Sequence, residues 1–223
     1  MLSDIKVIAF DADDTLWINE PFFTEGEQLF CQLMEEYMPK DASHKELFAQ
    51  EIGNLPLYGY GIKAFMLSMV ETGLKISNGK LSSSQIEQIL QIGRDMLNKP
   101  VDLLDGVEDV LKSLQGRYRI VAATKGDLLD QERKFEKSGI AHYFEHIEIF
   151  SEKKEEQYLR FLRHINVAPE HFLMIGNSLK SDILPVLEIG GYGIHVPFHT
   201  TWEHERVDAV SYTHLTLPTI YSV

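Results

Sequence analysis

The chain has 223 residues, 44% hydrophobic and 25% charged, enough for one well-packed domain with a smaller accessory unit. Its formal net charge of −13 argues against a large surface for nucleic acid or an anionic membrane, while a small anion can still be held at a local positive site. The single cysteine, Cys31, excludes an intrachain disulfide and a cysteine-rich metal site; set among Leu29, Phe30 and Leu33, it reads as a buried thiol.

The N-terminus passes from Met1-Leu2-Ser3-Asp4 straight into a strand, without a basic region followed by an apolar stretch. No window approaches the ~20 apolar residues of a membrane span. A reducing cytoplasm is the expected location, and a monomer or homodimer the expected state.

The first predicted element is the buried strand Val7 to Phe10, which runs into Asp11-Ala12-Asp13-Asp14-Thr15-Leu16. Carboxylates packed this closely repel one another and raise each other's pKa unless a cation neutralises them, so a hard metal ion is the economical reading. If strand geometry persists, Asp11 and Asp13 point to one side, one suited to nucleophilic attack and the other to acid and base work. Thr15 is expected to close the turn by bonding to nearby backbone.

A helical period follows. Phe22 to Tyr37 places its apolar residues at spacings of three and four, and further helices are predicted over His44 to Asn54, Gly61 to Thr72 and Ser82 to Asn98. The last is introduced by Ser82-Ser83-Ser84, good N-cap material, and closed before Pro100. Between two of these helices, Leu57 to Lys63 has the glycines, tyrosines and lysine of a loop that contacts ligand. No strand is predicted from Trp17 to Leu103.

From Leu104 the pattern alternates. A helix ends at Leu114, a strand runs from Tyr118 to Ala123, and a helix from Leu128 to Ser138. A strand from Ile147 to Phe150 and a helix from Glu152 to Asn166 follow. The series closes with a strand from Phe172 to Ile175, a helix from Asp182 to Gly190, a strand from Gly193 to Val196 and a short strand over Asp208-Ala209-Val210. Such alternation predicts a parallel sheet with ligand groups at the carboxyl ends of its strands. There the second strand offers Thr124-Lys125-Gly126, a hydroxyl followed by backbone N–H groups entering a helix, which is a phosphate cradle. His195, His199 and His204 lack the spacing of metal ligands and read as surface or core residues.

Phe10-Asp11-Ala12-Asp13-Asp14-Thr15-Leu16 resembles the first motif of the haloacid dehalogenase-like hydrolases, a superfamily dominated by magnesium-dependent phosphatases. The resemblance implies that Asp11 attacks phosphorus, forming an aspartyl-phosphate, and that Asp13 protonates the leaving alcohol and then activates water. Thr124 resembles the second-motif residue that binds a phosphoryl oxygen, with Lys125 and Gly126 beside it. A lysine is implied after the third strand; Ser151-Glu152-Lys153-Lys154 offers two, and Tyr158 favours Lys153 by register. Gly176-Asn177-Ser178-Leu179-Lys180-Ser181-Asp182 resembles the fourth motif with Asn177 in place of its first acid, so the implied magnesium ligands are Asp11, Asp13, Asn177 and Asp182.

The resemblance implies an α/β protein: a Rossmann-like parallel-sheet core formed by residues 1–16 and 104–210, with a helical C1 cap inserted over 17–103. Residues 211–223 lack the acidity and helical period expected there, and are read as an atypical tail, non-native or poorly packed. The implied activity is magnesium-dependent hydrolysis of a small phosphomonoester, a nucleoside monophosphate or sugar phosphate, by way of the aspartyl-phosphate. The alternatives are a weakly active or noncatalytic binding or regulatory protein, for which Asn177 is the motive, a haloacid dehalogenase and a phosphomutase. Asp13 argues against the dehalogenase, which needs no acid at that position.

Overall fold

The computed structural model describes residues 4–207. The expected strand at Asp208–Val210 and the tail over 211–223 lie outside the described residues. Those described form two compact units: one from the segments up to Ile18, Asp102–Lys125 and from Ser138 onward, the other from Asn19–Val101 and Gly126–Lys137.

The first unit is built on a five-stranded parallel sheet in the order β3-β2-β1-β4-β5, with β1 Val7–Phe10, β2 Arg119–Lys125, β3 His146–Phe150, β4 Phe172–Gly176 and β5 Tyr192–His195. All four residues of β1 are buried, as a central strand covered on both faces requires. On one face Val7, Ala9, Val121, Ala123 and Met174 pack against Tyr158, Phe161 and Leu162 of α7 (Glu155–His164) and Val186 of α8 (Leu184–Glu188). Each large side chain so buried contributes about 1.5–3 kcal/mol.

The chain runs outward from β1 through β2 to β3, then returns to lay β4 on the other side of β1. That reversal opens a crevice at the carboxyl end of β1, where an open α/β sheet binds its ligands. In register, Phe10 pairs with Ala122 and Ile175, so Thr124 and Asn177 each stand two residues beyond Phe10's neighbours.

The second unit is helical: α1 Glu20–Leu33, α2 Lys40–Tyr58, α3 Ile62–Ile76 and α4 Ser83–Asn98, joined by α6 Leu128–Ser138, while α5 Val107–Leu114 belongs to the first unit. Phe30, Cys31, Met34, Leu47, Phe65, Met69 and Ile89 form its core. The predicted cap at Ser82 is present as a reciprocal box: its hydroxyl accepts from the Gln85 N–H, and the Gln85 side chain accepts from the Ser82 N–H. Among the described residues, no helix is long and apolar enough to cross a membrane.

Three local expectations change. Helix α2 continues through Pro56 to Tyr58 and stops at Gly59, whose φ of 71° ends it. The loop expected over Leu57 to Lys63 therefore shrinks to Gly59–Gly61. The helix expected from Asp182 to Gly190 instead begins as a π-turn over Leu179–Ile183, which leads into α8. The turn and helix from Gly126 to Lys137 group with the helical unit: Lys63 pairs with Asp127 at 2.7 Å, and Lys134 bonds Asn19 at 2.7 Å.

Candidate active site

Strand β1 ends at Phe10, and the Asp11 N–H donates to Ile175 O at 2.8 Å, which fixes the nucleophile candidate against β4. The chain then turns sharply. Asp14 takes φ 60°, its N–H donates to Trp17 O at 2.8 Å, and the Leu16 N–H donates to Ala12 O at 2.8 Å. A left-handed aspartate is tolerated in such a turn because its short polar side chain finds local partners. The half-buried Asp13 accepts a 2.7 Å hydrogen bond from the indole N–H of Trp17.

Thr15 does not bond to the backbone of its own turn as expected. Its Oγ1 accepts from the Asn177 N–H at 3.0 Å and lies 3.4 Å from both Asp11 Oδ2 and Asn177 Oδ1. One hydroxyl thus joins the ends of β1 and β4 and gathers two side-chain oxygens around itself.

Of the two adjacent lysines, Lys153 is buried and reaches the carboxylates. Its ammonium donates to Asp11 Oδ1 at 2.5 Å and to Asp182 Oδ1 at 2.6 Å. Lys154 is exposed and faces Glu152. Tyr158, which follows Lys153 by five residues, turns its buried hydroxyl to Ser181 O at 3.0 Å, joining α7 to the loop after β4. In that loop Asp182 Oδ2 accepts the Ser178 N–H at 2.9 Å.

Burial raises the Asp11 carboxyl to about 7; the Lys153 ammonium opposes this, while Asp182 and Asp13 add to it. Burial works against the Lys153 charge as well, but Asp11 and Asp182 outweigh it and its pKa rises. Asp11 and Asp182 share the one lysine, and the charge of Asp13 acts on Asp11 from nearby. With all three carboxylates ionised, the group has a surplus of negative charge.

Thr124 is buried at the end of β2, with its hydroxyl 3.3 Å from Lys125 O. Lys125 takes a different course from Thr124: its ammonium donates to Ser181 Oγ at 2.9 Å and to Glu205 Oε1 at 2.6 Å. Gly126, with φ 142°, belongs to the helical unit. The site thus joins Asp11, Lys153 and Asp182 directly, and Asn177 through Thr15.

Two neighbours were not assigned to the site from sequence: His195, read there as a surface or core residue, and Glu205. His195 is half-buried, with Nε2 2.9 Å from Asn177 O. Its place at the end of β5 was the available signal. Glu205 lies in a short turn well past β5, where neither spacing nor motif marks it.

The model of the haloacid dehalogenase-like hydrolases matches residues 5–190. A haloacid dehalogenase-like family hydrolase from Xanthomonas campestris is 39% identical, with 89% of this chain and 84% of that one covered and a TM-score of 0.84. The putative hydrolase YfnB of Bacillus subtilis, solved bound to magnesium, is 19% identical over 87% of each chain at a TM-score of 0.60, a likeness of fold. Among curated proteins, mouse N-acylneuraminate-9-phosphatase is 22% identical over 212 residues, 85% of this chain and 81% of the relative. With its parallel sheet and the Asp11, Lys153 and Asp182 cluster at the strand ends, the chain belongs to the haloacid dehalogenase-like hydrolases.

Proposed function

We propose that the protein is a magnesium-dependent phosphatase acting on a small phosphomonoester. The observation that carries this reading is the buried Lys153 ammonium set between Asp11 and Asp182, with a second acid, Asp13, two residues beyond the first. A carboxylate nucleophile beside a fixed cation suits phosphoryl transfer, where catalysis is mostly positioning and electrostatic stabilisation.

Asp11 attacks phosphorus, and the ester oxygen departs with a proton from Asp13. Asp13, now ionised, takes a proton from water as the water attacks the aspartyl-phosphate. Inorganic phosphate leaves and Asp11 is regenerated. Lys153 and Thr124 hold the phosphoryl oxygens throughout. The Trp17 indole fixes the Asp13 carboxyl while it exchanges its proton.

The donor set fits a hard cation. It is made of oxygen alone: the Asp11 carboxylate, the Asp13 backbone carbonyl, the Asn177 amide oxygen and Asp182. Among the described residues, no three His, Cys, Asp or Glu side chains form a metal-holding group, so the amide and the backbone carbonyl belong to the fit. Both Asp182 oxygens already accept hydrogen bonds, which suits contact through water. Bound magnesium supplies positive charge against the surplus carboxylates and the incoming phosphate.

Asp13 favours phosphate esters over haloacids, and the name of the mouse relative puts N-acylneuraminate 9-phosphate among the substrates to try beside sugar phosphates and nucleoside monophosphates. The lone buried Cys31 suits a reducing cytoplasm. The test is a panel of these esters and a 2-haloacid, assayed with magnesium and with chelator. Magnesium-dependent release of inorganic phosphate is expected. Halide release, or metal-independent turnover, overturns the reading. Binding of the esters without turnover favours instead the noncatalytic protein suggested by Asn177.

A further inference from the structure

Beyond β5, the chain folds back over the strand ends. In the short turn Glu203–Glu205, the Glu205 carboxylate accepts from Lys125 Nζ at 2.6 Å, from Ser178 Oγ at 2.5 Å and from Ser181 Oγ at 2.6 Å. One residue earlier, His204 O accepts from Lys180 Nζ at 2.7 Å. A segment arriving from the edge strand β5 therefore bonds three residues of the loop after β4 and reaches the end of β2, two strands further on. The Lys125 and Glu205 side chains are both largely buried, at 15% and 12% exposure, so this is not a solvated surface pair. It lies beyond residue 190, where the family match stops.

The contacts converge on the loop that holds the metal-ligand candidates. Ser178 follows Asn177, and Ser181 precedes Asp182. The Ser178 hydroxyl also accepts from the Ser181 N–H at 3.0 Å, closing the π-turn that aims Asp182 at Lys153. With Asn177 supplying an uncharged oxygen, metal affinity depends more heavily on how well the remaining oxygens are placed.

We propose that Glu205 is a positioning residue: it clamps the Asn177–Asp182 loop through Ser178 and Ser181, and retains Lys125 as part of the clamp rather than as a phosphate ligand. This rests on the magnesium-dependent reading above. Removing the clamp loosens the cation site while the sheet and the Asp11–Lys153 pair persist.

The test is calorimetric titration of the full chain with magnesium chloride alone, followed by kinetics at varied magnesium. Glu205→Gln keeps the shape but removes the charge; it is expected to weaken magnesium binding about 10-fold to 100-fold, the usual effect of losing a partner behind a metal ligand. The kinetic loss should be recovered largely by saturating magnesium. Ser181→Ala cuts the same contact from the other side and guards against a Glu205 variant that fails to fold. The two changes together should cost no more than the larger one alone.

Lys125→Met with Glu205→Gln removes both charges. A purely structural ion pair predicts full recovery of magnesium affinity in that double variant, and such recovery overturns the proposal. So does unchanged affinity in both Glu205→Gln and Ser181→Ala. Failure of the unaltered protein to take up magnesium instead defeats the phosphatase reading on which the proposal rests.

Discussion

Lys153 Nζ lies 2.5 Å from Asp11 Oδ1, across 142 residues of sequence, and 2.6 Å from Asp182 Oδ1. The ammonium is what lets two buried carboxylates face one another. Lys153→Met should destabilise the fold by about 3–5 kcal/mol, the usual result of leaving buried charge uncompensated. At this chain length that is a fall of roughly 10 °C in Tm. Adding Asp182→Asn should restore part of it. Calorimetric unfolding of the single and double variants checks this, and an unchanged Tm in Lys153→Met refutes it.

Asp11→Asn removes the nucleophile while keeping the acceptor that faces Lys153. Phosphate release should disappear, with at least a 10³-fold loss in kcat, while the circular dichroism spectrum and cooperative unfolding persist. Residual turnover near that of the unaltered protein removes Asp11 from its assigned role.

Glu51, on α2, tests the helical unit. Burial raises its carboxyl to about 9, with Glu27 and Glu20 adding to the rise, and its Oε1 is buried without a hydrogen-bond partner. The ordinary value is 4.5, so between pH 4.5 and 9 the folded protein holds a proton that the unfolded chain releases. Stability from this group is therefore complete below about pH 4.5 and declines as pH rises towards 9. Glu51→Gln should raise Tm at pH 8 by several degrees, about 1–2 kcal/mol, and change it little at pH 4.5. Equal shifts at both pH values contradict the assignment.

Gly176, at the end of β4, is required by a close approach. A Cβ there would sit 2.5 Å from Cγ of Asp182, which Lys153 and the Ser178 N–H hold in place. Gly176→Ala should displace Asp182 and cost about 1–3 kcal/mol through overpacking, with a larger proportional loss of activity than of stability. Wild-type kcat in that variant removes Asp182 from the site.

Much of the fold could be read from the residues because local signals agreed with one another. The run Val7–Phe10, the box at Ser82 and the helix Leu128–Ser138 each carry their own period or cap. Element boundaries failed where tertiary contacts override propensity: α2 runs through Pro56, and the Asp182 segment widens into a π-turn capped by the Ser178 hydroxyl. Strand-end order and resemblance picked out Asp11, Lys153 and Asp182. The direction of a long side chain was not readable. Lys125 sits beside Thr124 in sequence, yet its four-carbon stem carries the ammonium to Glu205, 80 residues on. Glu205 was missed for the same reason: its partners are set by the return of the chain across the sheet.

Cys31 lies in the core of the helical unit at 5% exposure, and burial first, then the charge of Glu27, pushes its thiol up to about 11. A thiol both hidden and protonated at neutral pH reacts with alkylating reagents only when the surrounding helices part. As the chain has no other cysteine, the protein possesses a native clock for breathing of that unit. Modification rates followed with and without a phosphate analogue report the fraction of time that unit stands open, and the opening rate itself once the reagent outpaces reclosing, without an introduced label.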